Sequence, residues 1–244
     1  MMTRPSRRYL AFDIETAKIV EDSTVTDVLA ARPLGISCAA AMASDGNDTP
    51  ILWHGRTEAG TPSPQMTQAE AAAMVRQLQQ MADDGYTIVT WNGLAFDFNV
   101  LAEESGLPEV CEALALRHVD MMFHAVCVLG HYLGLEKTAQ GMGLGAKAGM
   151  KGNEAPLEWS KGNFQPVLEY CAQDVRLTLQ VAETCDAERQ LRWKANSGAI
   201  RQMPLPNGWL DVASAGQLPL PDTSWMSDPP TREQFTRWIQ SSSR

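Results

Sequence analysis

The chain has 244 residues, of which 44% are hydrophobic and 20% charged, and a formal net charge of -9. That length and balance fit one substantial α/β unit with or without a small appendage, and they exclude a disordered or fibrous chain. The negative charge disfavours broad coating of a duplex, but carboxylates that hold divalent cations would still attract phosphate.

No apolar run approaches the ~20 residues of a membrane helix, so no membrane partner is expected. The basic start, Met1 to Arg8, leads into a strand-like segment holding acids. A cytoplasmic protein without a cleaved signal is therefore expected. Five scattered cysteines (Cys38, Cys111, Cys127, Cys171, Cys185) form no CxxC pair, and the four histidines show no HxxxH or HExxH spacing. Disulfide frameworks and zinc sites thus lack support, and any metal should be held by oxygen.

Tyr9 to Ile14, Leu34 to Met42 and Ile51 to His54 read as three adjacent strands. Thr67-Gln-Ala-Glu70 has capping-box spacing and opens an alanine-rich helix that ends at Asp83-Asp84-Gly85. Tyr86 to Trp91 is a further strand, Asn92-Gly93 a turn, and Phe96 to Glu104 a helix. Short helices are expected over Asp120 to Leu129 and Leu135 to Met142, then a Gly/Lys-rich loop over Gly143 to Asn153. A long helix should cover about Gln165 to Arg192, with Pro166 in its first turn. Val167, Cys171, Val175, Leu179 and Ala182 recur along it at three- or four-residue steps. Beyond Asn196 prolines mark an extended tail, with Trp209 and Trp225 along it and a small helix over Arg232 to Gln240 at its end. Phe235, Trp238 and Ile239 of that helix would dock on something apolar.

Three segments carry chemistry. In Phe12-Asp13-Ile14-Glu15-Thr16 two carboxylates stand two residues apart on a strand, so they point the same way and suit a shared Mg²⁺ or Mn²⁺. Taken alone, such a pair is as readily a solvated strand end. In Trp91-Asn92-Gly93-Leu94-Ala95-Phe96-Asp97-Phe98 an acid lies at a helix start that follows a strand. Complementing the helix dipole is its ordinary role, but the turn after a strand is also where α/β sheets bind ligands. In Tyr170-Cys-Ala-Gln-Asp174 a phenol and a carboxylate share one helix face. A packing tyrosine and a solvated aspartate would look the same.

In this order and at these spacings the three segments resemble the motifs of the DEDD superfamily of 3'-5' exonucleases. Tyr170, four residues before Asp174, places the resemblance in the DEDDy branch. FDIET and WNGLAFD look most like the proofreading domains of family B DNA polymerases and their stand-alone relatives. The likeness runs from about Arg8 to Arg192. It implies an α/β, ribonuclease H-like fold in which a mixed central sheet is flanked by helices. The division expected is an exonuclease domain over 1–195 and a Pro-rich aromatic tail over 196–244.

By the same resemblance Asp13, Glu15, Asp97 and Asp174 are ligands of two Mg²⁺ or Mn²⁺ ions, and Tyr170 positions the attacking water; on chemical grounds Asp13 is expected to bridge the ions. Thr16, Asn92, Leu94, Phe96 and Lys147 are the implied substrate contacts. Leu94 as a wedge between terminal bases stands beside Leu94 as a buried helix-start residue. Asn99 occupies the position where polymerase domains usually have proline. The implied reaction removes 5'-mononucleotides from the 3' end of DNA, single-stranded by preference. Two alternatives remain: an RNA exonuclease of ribonuclease D or oligoribonuclease type, and a silent nucleic-acid-binding module whose tail docks a protein partner. Nucleotide binding through Gly141-Met-Gly143-Leu-Gly145 is poorly supported, because no strand precedes the glycines and no GK[ST] follows.

Overall fold

The computed structural model of the chain describes residues 7–20, 27–145, 150 and 152–239. Strand β1 (Tyr9–Thr16) runs antiparallel to β2 (Ile36–Ala43), which pairs antiparallel with β3 (Ile51–His54). Helix α1 (Gln68–Asp83) then returns the chain to β4 (Thr87–Thr90), parallel to β1 on its other side. After α2 (Asp97–Ser105) and α3 (Pro108–Arg117) comes the two-residue strand β5 (Val119–Asp120), parallel to β4. The sheet order is β3-β2-β1-β4-β5, the mixed sheet flanked by helices that the motifs imply.

The strands are apolar on both faces because helices cover both. Tyr9, Ala11, Cys38, Ala40, Met42 and Val89 face one core, while Leu10, Phe12, Ile14, Ala39, Ala41 and Ile88 face the other. The second core is closed by α1, α2, α3 and α4 (Met121–Leu129), through Val75, Leu78, Leu101, Leu114 and Phe123. The capping box of α1 forms as its spacing requires, with Glu70 Oε2 accepting from the Thr67 N–H at 2.7 Å.

The first core is closed by α5 (Leu135–Met142), α6 (Ala155–Ser160) and the 25-residue α7 (Phe164–Glu188). All five residues of the expected α7 stripe are buried. The helix stops short of Arg192: Arg189 adopts a left-handed φ of 55° and caps it. From there the burial period changes from that of a helix to two, with Leu191 and Trp193 inward, and β6 (Gln190–Lys194) forms a hairpin with β7 (Ile200–Pro204). Gly141 belongs to α5, where a Cβ would strike the Trp193 backbone. Close helix-to-hairpin packing, rather than phosphate binding, therefore accounts for that glycine.

Residues 203–239 fold back onto both cores. Trp209 is fully buried and donates its indole N–H to the Ala182 carbonyl at 3.2 Å. Short helices α8 (Val212–Ala215) and α9 (Arg232–Thr236) follow, and Phe235 is 1% exposed. Trp238 and Ile239 pack against the same core, while Gln240, the expected end of the terminal helix, lies outside the described residues. Among the described residues no helix is long and apolar enough to cross a membrane.

Candidate active site

Strand alternation puts Asp13 and Glu15 on the face that also carries Tyr9 and Ala11, the face covered by α7. A bulge between Glu15 and Thr16 ends the regular pairing with β2, so the carboxylates sit where the strand leaves the sheet. Tyr170 and Asp174, one helical turn apart on α7, approach the same strand end; Cys171 beside them donates its thiol to the Asp13 carbonyl at 3.7 Å. Asp97 arrives from the opposite side as the first residue of α2, its Oδ1 accepting from the Ile14 N–H at 3.0 Å.

All four acids and the tyrosine line one open cavity of about 470 Å³. Thr16, Asn92 and Phe96 line it as well, so the structure gathers eight of the ten residues singled out from the sequence. Leu94 is not among them: it is fully buried, held by its N–H to Asp120 and its carbonyl to the Trp238 indole. Lys147 lies outside the described residues. The basic residue that does line the cavity is Lys18, just beyond Thr16, and Gly152 brings backbone close to the Tyr170 hydroxyl.

One organising residue escaped the sequence reading. Asp120, fully buried at the end of β5, accepts from the N–H groups of Asn92, Leu94 and Phe123 at 2.9–3.1 Å. It thereby shapes the Asn92 turn, where φ is +75°, and caps α4 at the same time. Gly93 is needed there because a Cβ would run into the Thr90 side chain.

Burial and mutual repulsion among the acids set the electrostatics of the site. Burial, aided by Asp120 and Asp174, pushes the Asp97 carboxyl up to about 7 even though the Ile14 N–H opposes the shift. Burial and the Asp174 and Glu15 carboxylates hold the Tyr170 phenol well above its ordinary value. The phenol is therefore a neutral O–H at physiological pH, one that hydrogen-bonds to Asp174.

Oxygen donors of this hardness fit Mg²⁺ or Mn²⁺. Ligand atoms of Asp13, Glu15 and Cys171 lie within 4.8 Å of one another. A hydrogen bond with Cys38, together with burial, keeps the Cys171 thiol protonated, so the carboxylates are the fitting donors there. Asp97 and Asp174 line the same cavity as that pair and add two further carboxylates to it.

The family model of the RNase_H superfamily matches residues 51–185, a span that holds Asp97, Tyr170 and Asp174 and leaves β1 outside it. Among solved structures, the family B DNA polymerase of the hyperthermophilic archaeon Pyrobaculum calidifontis is similar, with a TM-score of 0.54 and 20% identity. The likeness covers 76% of this chain and 25% of that one. The chain thus spans a quarter of the polymerase's length, and at that identity the similarity is one of fold. No curated protein matches the sequence.

Proposed function

The chain belongs to the RNase_H superfamily, and on that premise we propose that it is a two-metal-ion 3'-5' exonuclease of the DEDDy type. Its substrate is single-stranded DNA and its products are 5'-mononucleotides. The observation that carries this reading is the convergence of Asp13, Glu15, Asp97, Tyr170 and Asp174, from one strand end, a helix start and a helix face, on one cavity.

Asp13, Glu15, Asp97 and Asp174 would hold the cations. Bound there, divalent ions supply Lewis-acid stabilisation of the attacking and leaving oxygens of a phosphodiester. Hydrolysis adds a water oxygen to phosphorus and breaks the bond to the 3'-oxygen, which leaves with a proton as the new terminus. Tyr170, neutral and tied to Asp174, keeps lone pairs with which to orient that water; its raised pKa makes it an orienting group rather than a base. Thr16, Asn92 and Phe96 line the same space and would receive the terminal nucleotide, with the Phe96 ring offered to a base. Every group given a chemical role lies within 1–195, the proposed catalytic domain, against which residues 205–239 pack.

Matched DNA and RNA oligomers incubated with Mg²⁺, Mn²⁺ or chelator test the proposal. Stepwise loss of mononucleotides from DNA 3' ends, stopped by chelator, is expected. A strong preference for RNA would move the chain to the ribonuclease D type, and tight binding without product would make it a silent binding module.

A further inference from the structure

A second open cavity, of about 580 Å³, lies between the α4–α5 connection, the β6–β7 hairpin and the C-terminal segment. Its charged lining residues are Lys137, Lys194 and Arg201, and among the described residues no aspartate or glutamate lines it. In a chain with 29 acids against 20 lysines and arginines, that is a local reversal of charge. All three basic residues are exposed. Among the described residues none of them forms an ion pair; Lys137 is tied only to the neutral Asn196 amide oxygen.

Aromatic rings interleave with these charges. His131 stands between Trp193 and Trp225, with ring centroids at 6.1 and 6.2 Å, and Trp225 leaves 65% of its surface in solvent. Tyr132 is 53% exposed next to them. A large exposed indole costs solubility. Exposed ring faces beside unpaired cations are what a single strand needs for its bases and phosphates.

The cavity connects to the acidic site through shared walls. A groove of about 660 Å³ has Tyr132 in common with the basic cavity. It has Val28, Asn92 and Phe96 in common with the acidic one. Trp91, at the acidic cavity, also donates its indole N–H to the carbonyl of Leu133 at the basic one, at 3.1 Å.

Resting on the exonuclease reading, we infer that the basic cavity is a distal subsite for the substrate strand. The strand's terminal nucleotide enters the acidic cavity, its body passes Phe96 and Tyr132, and nucleotides further back stack on Trp225 while Lys137, Lys194 and Arg201 take their phosphates. The C-terminal segment, through Trp225, is then part of the substrate path.

The test compares the full chain with Lys194→Glu/Arg201→Glu and, separately, Trp225→Ala, all at exposed positions. Binding of a 12-nucleotide oligothymidylate labelled at its 5' end is measured by anisotropy in chelator, across a salt series. Length preference is measured as kcat/KM on that strand divided by kcat/KM on a dinucleotide, with Mg²⁺. The charge-swapped variant is expected to bind the strand at least tenfold more weakly and to lose at least tenfold of the length preference. Its salt slope should fall by about 1.4, at about 0.7 per phosphate contact on a single strand. Trp225→Ala should weaken binding about fivefold or more, as loss of one stacked base would. Unchanged binding and unchanged length preference in an enzyme that still hydrolyses DNA would overturn the subsite and leave the exonuclease standing. Weakened binding in a protein that hydrolyses neither substrate would uphold the surface and remove the exonuclease reading.

Discussion

Asp97 Oδ1 accepts a hydrogen bond from the backbone N–H of Ile14 at 3.0 Å, joining the start of α2 to the strand residue that lies between Asp13 and Glu15. The bond fixes one carboxylate against the backbone that carries two others. It also separates the structural role of Asp97 from its electrostatic one, since an amide oxygen could accept the same bond.

Asp97→Asn should therefore keep the fold and lose hydrolysis. The melting temperature in chelator is expected to stay level or rise, because a buried charge is removed while the acceptor to Ile14 remains. Asp97→Ala removes the acceptor too and should cost about 1–3 kcal/mol. Chemical denaturation of both variants separates the two effects; equal destabilisation by both would show that the bond contributes nothing.

The pH dependence follows from the same group. The unfolded chain gives up this proton in the usual carboxylate range, near 4, whereas the folded, metal-free chain keeps it up to about 7. Between those values the folded state holds the extra proton, so this group's contribution to stability falls as pH rises through the window. Cation binding displaces the proton and should strengthen with pH across the same range. The rise in melting temperature caused by Mg²⁺ should be larger at pH 8 than at pH 5, and Asp97→Asn should abolish the difference. Equal Mg²⁺ shifts at both pH values in the parent protein would be incompatible with the raised carboxyl.

Tyr170→Phe removes the hydroxyl and leaves the packing of a ring that is 8% exposed. Turnover should fall about 10²-fold, as a misplacement of about 1 Å in a reacting group costs, with Mg²⁺ affinity unchanged in a calorimetric titration. Turnover within twofold of the parent would remove Tyr170 from the mechanism.

Asp120→Ala strips the acceptor from three backbone donors in a fully buried position. A loss of about 3 kcal/mol is expected. KM should rise as well, because Asn92 and Phe96 would lose their placement. A change confined to stability would mean that the Asn92 turn holds its shape unaided.

Trp209 and Phe235, each at most 1% exposed, should cost about 3–5 kcal/mol when cut to alanine. Thermal melts of Trp209→Ala and Phe235→Ala test whether 196–244 is integral to the fold; melts matching the parent would make it a loose appendage.

Local signals made much of this legible in advance. FDIET reads as a buried strand bearing paired acids because a two-sided strand is apolar throughout, and α7 reads from its stripe. The capping box marks the first residue of α1. What stayed hidden depends on partners distant in sequence. β5 has two residues and no period of its own, so Asp120 gains its role only once β5 lies beside β4. The α7-to-β6 change at Arg189 is hidden in the sequence, because Leu191 continues the helical spacing as well as it begins the alternating one. Of the two roles open to Leu94, wedge or buried helix-start residue, the Trp238 indole, 144 residues away, selects the buried one by closing over it.

The most direct measurement is a time course on a 5'-labelled single-stranded DNA oligomer with Mg²⁺, using the parent protein, the parent with chelator, and Asp13→Ala. A ladder shortening by one nucleotide per step from the 3' end is expected for the parent alone. Undiminished hydrolysis by Asp13→Ala, or by the parent in chelator, would contradict a nuclease built on these carboxylates.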